Sequence, residues 1–134
     1  MSNVRERRIQ INEERGQTLT EFALVLPVLA LVLFALIQFG IVFNNYITLT
    51  DATRAGARKA AVGRRLSDPV GSAVAAVRAS ATDLRQSDLG VTVSSTWQPG
   101  ADVSVTATYP YKVSLLGMVV KSGRLSSKTT ERVE

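Results

Sequence analysis

Glu21 is the residue whose surroundings call for a chemical explanation. It stands five residues after Gly16 and directly before FALVLPVLALVLFALIQFGIVF, a run from Phe22 to Phe43 that carries no charge. Taken alone, such an acid is the last polar residue before an apolar phase, its stem lying along apolar surface and its carboxylate in water. Little else in the chain is suited to chemistry. The sequence has no Cys and no His. Disulfides, thiolate metal sites, the commonest general base and the commonest zinc ligand are therefore all excluded. What remains is a scatter of carboxylates, hydroxyls, lysines and arginines, and no two acids sit at a spacing that suggests a site. The expectation is a protein that is not an enzyme, with no catalytic residue, no metal ligand and no cofactor.

The element that positions Glu21 is the run that follows it. At 22 residues it exceeds the roughly 20 needed to carry a helix across about 30 Å of hydrocarbon. Pro27 lies in its first turns, where it removes one backbone donor and is expected to kink the helix rather than end it. A secretory signal peptide would have a shorter apolar core and a small-residue cleavage site, whereas polar Asn44, Asn45 and Tyr46 follow here. A retained anchor is expected. The 16 basic and 11 acidic residues leave a net charge of +5. Arg5, Arg7, Arg8 and Arg15 precede the run, and Arg54, Arg58, Lys59, Arg64 and Arg65 follow it. Flanking cations of this kind suit lipid headgroups. Trp97, Tyr109 and Tyr111 come with no base-reading motif, so no nucleic-acid partner is expected.

Beyond the run, Asn44 to Arg65 is rich in Ala and free of Pro, so the helix is predicted to continue towards Gly63. A rod over residues 18–62 would be roughly 65–70 Å long at 1.5 Å per residue. Ala52, Gly56 and Ala60 fall at four-residue intervals on it and form a flat stripe for helix packing, against either a second helix or the protein's own sheet. Arg54 and Arg58 occupy another face, as a solvated or headgroup-facing side or as a contact to a partner subunit.

Ser67 to Asp88 reads as a short amphipathic helix, capped by Ser67 or Asp68, with Pro69 in its first turn and Val70, Ala73, Val74, Val77, Ala81 and Leu84 at helical spacing. After Gly90 the period becomes two. Val91, Val93 and Trp97, then Val103, Val105, Ala107 and Tyr109, alternate with Ser and Thr around a QPGAD turn. The closing RLSSKTTERVE suits a polar edge strand in which Lys128 discourages further pairing. About 70 residues rarely hold a core unaided, so the outer half of the long helix and the second helix are expected to cover this sheet. KVSLLGMVVK, Lys112 to Lys121, is too short to span a bilayer. It is expected to be a loop packed back onto the sheet, with a patch for membrane or partner as the lesser alternative. The fold class is α+β, a long N-terminal transmembrane helix followed by a short helix and a small antiparallel sheet.

With these elements in place, a family resemblance can be stated. Gly16-Gln17-Thr18-Leu19-Thr20-Glu21-Phe22 resembles the processing site of prepilins of the tight-adherence (Flp) type IV pilus class, cut after Gly with Glu-Phe or Glu-Tyr following. The Pro in the apolar run, QFGIVFNN and DATRAGARKAAV resemble the TadE-like family of minor pilins and pseudopilins, from Gly16 to about Arg65. The resemblance implies a pilin-like fold, a cytoplasmic leader over 1–16, a long helix over 17–65 crossing the membrane at about 22–43, and an extracytoplasmic head over 66–134. It implies processing at Gly16 and Gln17, and an assembly role for Glu21 and Phe22. The implied partners are the prepilin peptidase, other minor pilins, the major Flp pilin, the inner-membrane assembly platform and membrane lipid. The chain would sit in the cytoplasmic membrane and enter a pilus. The different class of function left open is an uncleaved single-pass anchor presenting a protein-binding module.

Overall fold

The computed structural model describes the backbone from Ser2 and the side chains from Arg15 to Glu134. The predicted α+β layout is observed. A long helix, α1 (Ser2–Ala61), is followed by α2 (Pro69–Ser80) and by three strands, β1 (Gly90–Ser95), β2 (Asp102–Leu115) and β3 (Met118–Arg132). The strands form one antiparallel sheet in sequence order, β1-β2-β3. The chain divides into two compact units, one ending at Ile37 and the other running Gln38–Glu134.

In the first unit α1 passes through Pro27 without a break. Phe22, Leu24, Leu29, Leu33 and Leu36 are all more than half exposed. A helix in water would bury such residues on one face. This one keeps them exposed all round, as a lipid-facing segment does.

The second unit has its own core. The inward face of β2, Val103, Val105 and Ala107, is fully buried beneath Leu49, Ala52, Ala57 and Ala60 of α1 and Ala73 and Val77 of α2. Asp68 caps α2 by accepting from the Gly71 amide at 2.8 Å, and Pro69 begins the helix. α2 is shorter than the sequence predicts. It ends at Ser80, and the stretch to Asp88 is turns held by Gln86 Nε2, which donates to the carbonyls of Ala81 (2.8 Å) and Leu84 (3.2 Å). Ser80, Thr82 and Asp83 favour such turns over helix interior, while Ala81 and Leu84 remain buried outside the helix.

Two expectations for the sheet are corrected. Trp97 lies beyond β1 at φ 57°, its amide donating to Ser95 Oγ (3.1 Å), so it belongs to the turn and not to the strand's alternation. Lys112 to Lys121 is not a loop folded back. β2 and β3 continue through it as a hairpin, closed by a two-residue turn at Leu116 and Gly117 between the paired Leu115 and Met118. β1 pairs β2 only as far as Thr108, so the hairpin beyond it is two-stranded.

Candidate functional site

Two groups of residues on α1 carry functional expectations, one in each unit. In the first, Gly16 and Gln17 lie one turn before Glu21 on α1. Gln17 Nε2 donates to Glu21 Oε1 at 3.1 Å, and Thr20 Oγ1 donates to the Gly16 carbonyl at 2.9 Å. Glu21 is exposed, and Phe22 beside it is 58 % exposed. A Cβ placed on Gly16 would meet nothing within 4 Å. Glycine costs roughly 1 kcal/mol against alanine inside a helix. Among the described residues, nothing in the packing calls for that cost at Gly16. Arg5, Arg7 and Arg8 lie outside the residues whose side chains are described.

In the second unit, Ala52, Gly56 and Ala60 are all buried. The sequence left open whether their stripe faces a second helix or the sheet, and at Gly56 it faces both. A Cβ there would fall on Val77 Cγ2 of α2 and lie 3.3 Å from both the Ala73 carbonyl oxygen and Val105 Cγ1 of β2. Beside it, Thr53 is fully buried. Its hydroxyl donates to the Thr50 carbonyl at 2.8 Å. One hydroxyl has one proton, so its contacts with Ser127 Oγ (3.3 Å) and Thr129 Oγ1 (3.1 Å) are donated by those two residues of β3. Leaving either without its partner would cost about 1–3 kcal/mol, so the cluster fixes α1 against one register of β3. Reading the stripe at i, i+3, i+4 intervals would have added Leu49, Thr53 and Ala57 to it. The hydroxyl partners on β3 leave no such signal.

Arg54 and Arg58 are exposed on the opposite side. Arg54 Nη1 lies 3.4 Å from Asp51 Oδ1, a solvated pair worth under about 1 kcal/mol. Together with Phe43, Tyr46, Ile47 and Thr50 these two residues line a shallow hollow. The hairpin tip, given in the sequence only as the lesser alternative, is an exposed apolar surface feature: Leu116 is 76 % exposed and Met118 71 %.

A helix with a charge-free, outward-facing run and an α+β head with its own core fit the class of single-pass membrane proteins. Within that class, residues 16–58 match the family model described as TadE-like protein. The match begins at the glycine of the motif and covers the apolar run and the buried stripe through Ala57, bearing out the resemblance read from those residues. Comparison with curated proteins and with solved structures returns no match.

Proposed function

We propose that the chain is a minor pilin or pseudopilin of a tight-adherence, type IV-like pilus, processed by a prepilin peptidase and acting in pilus assembly and adherence rather than in catalysis. The observation that carries this reading is one helix in which Gly16, Glu21 and Phe22 stand at the edge of a charge-free run, within a stretch similar to TadE-like proteins from residue 16 onward. The open space around Gly16 supports it, because a glycine the fold does not need suits a requirement set by another molecule.

In this reading the peptidase hydrolyses the bond between Gly16 and Gln17. Gln17 then opens the helix with a free ammonium, and both that charge and the helix's positive end favour a carboxylate one turn on. Glu21 is that carboxylate, and its 3.1 Å bond from the Gln17 side chain puts the two residues within reach of each other. The partner amine can be the chain's own or a neighbour's. A neighbour's amine would fix axial register in a filament, since an unpaired carboxylate near mid-bilayer costs on the order of 2.5–3.5 kcal/mol. The leader is on the cytoplasmic side and the head outside the membrane. The partners are the peptidase, sister minor pilins, the major Flp pilin and the assembly platform.

Mass spectrometry of the N-terminus of protein taken from its native membrane tests this. The expected start is Gln17, free or cyclised with loss of ammonia, and Gly16→Leu should leave the full-length chain uncut. A start at Met1 or Ser2 in the unaltered protein would overturn the proposal in favour of an uncleaved anchor with a binding head.

A further inference from the structure

The hairpin formed by β2 and β3 outruns the head that supports it. Beyond Thr108 it has no third strand, yet it stays paired to its tip, with one register shift between Val113 and Ser114: Tyr111 pairs with Gly123 and lies over it, 3.0–3.1 Å from where a Cβ would be. An aromatic ring covering a cross-strand glycine is a recognised way of stiffening a ribbon. The turn that closes it holds Leu116 at φ 51° and Gly117 at φ 82°. Two successive residues at positive φ make the tight hairpin turn whose first position favours Asn or Asp in water. Leu116 occupies it instead, against the steric preference of a bulky L-residue, with its side chain 76 % exposed. Met118, Val119 and Val120 beside it are 60–71 % exposed.

Charge around this tip has one sign. From Val103 to Thr130 there is no Asp or Glu, while Lys112, Lys121, Arg124 and Lys128 are all present and exposed. An apolar point backed by tyrosines and ringed by cations matches the cross-section of an anionic lipid interface: acyl boundary, glycerol level, phosphates.

The contacts with α1 say which way the hairpin runs. Thr53 touches Ser127 and Thr129, and the Ala61 carbonyl accepts from the Glu134 amide at 3.0 Å, so α1 and β3 ascend in the same sense. Thr53 to Ala61 covers roughly 12 Å of helix, and the facing chain up to Glu134 roughly 17–23 Å at strand rise. β3 therefore advances along the helix axis by about half to two-thirds of its own length. Followed back from Ser127 to Met118, roughly 30 Å of strand, it descends about 15–20 Å. On that straight course the tip would reach about the height of Gly40 to Phe43, where the charge-free run ends and Phe39 stacks on Phe43.

We propose that the Leu115–Val120 tip is a second membrane contact, inserting into the headgroup and upper acyl region of the anionic bilayer that α1 crosses. The head is then held at two points rather than hung from one helix. The inference rests on the membrane-anchor part of the reading above and not on pilus assembly.

The test uses the full chain in vesicles of phosphatidylcholine with and without phosphatidylglycerol, carrying Trp97→Phe and Met118→Trp so that the tip holds the only indole. In the anionic vesicles its emission should shift to the blue, and lipids labelled with a quencher high on the acyl chain should quench it. The unaltered protein, reporting from Trp97, should show neither effect. Lys112→Gln and Lys121→Gln should each reduce the inserted fraction roughly fivefold, the share of one cation near an anionic surface. A chain that floats with the vesicles while its tip emits as in water and escapes quenching would overturn this contact alone. Protection that arises only on adding other membrane proteins would overturn it in favour of a protein partner. A chain that does not float would overturn the anchor as well.

Discussion

Glu21 separates the two uses of an acid at a membrane edge. If it only rests at the water boundary, removing it changes little. If it neutralises an ammonium inside a filament, Glu21→Ala leaves that cation unpaired, at a cost on the order of 2.5–3.5 kcal/mol. Glu21→Ala should therefore still be cut, yet its abundance in sheared pili should fall about 100-fold relative to the membrane pool. Unchanged incorporation would return Glu21 to the boundary role. The motif itself was legible residue by residue, because Gly16, Glu21 and Phe22 are defined by type and spacing. The Gln17 side chain's bond to Glu21 is a local i, i+4 contact that the same spacing allowed.

At the scale of elements, the seam between α1, α2 and β2 turns on one glycine. Gly56→Ala would gain about 1 kcal/mol of helix propensity but must displace Val77 and crowd Val105, an overpacking that typically costs 1–3 kcal/mol. Because the added Cβ would overlap Val77 and not merely touch it, the upper part of that range applies, roughly 2–3 kcal/mol, and a net loss of about 1–2 kcal/mol is expected. It should appear as a lowered Tm of the full chain in detergent, whereas Gly40→Ala, with nothing within 4 Å of the added Cβ, should not lower it. Equal Tm values for Gly56→Ala and the parent would deny the close approach. The period-two and helical patterns located β1, β2 and α2, because amphipathic spacing is a local property. They overran at Ser80, where turn-forming Thr82 and Asp83 beat an apolar spacing that remains buried without being helical. They also misplaced Lys112 to Lys121, since its apolar residues at a hairpin tip look the same in sequence as residues folded into a core.

On the scale of the whole chain, each unit has its own solvent. Among the described residues, the first exposes its large apolar side chains, and the second buries a compact core. The full protein should stay with the membrane pellet through high-salt and alkaline washes, because the run between Phe22 and Phe43 holds it by hydrocarbon burial and not by charge. Release by salt would show that its cations, and not its helix, hold it there.

The sequence by itself determined the apolar helix long enough to span a membrane, the α+β order of elements and the motif that resembles TadE-like proteins. Hydropathy over a length, capping and periodicity sum over neighbouring residues and need no knowledge of distant ones. Only the tertiary structure decided that Gly56 meets α2 and β2 together, and that Thr53 takes its hydroxyl partners from residues 74 and 76 positions away. It alone left Leu116 outside the core. These outcomes depend on which faces meet when the chain folds back on itself. That is settled by packing and hydrogen-bond pairing across long sequence separations, for which no short window of residue types carries a signal.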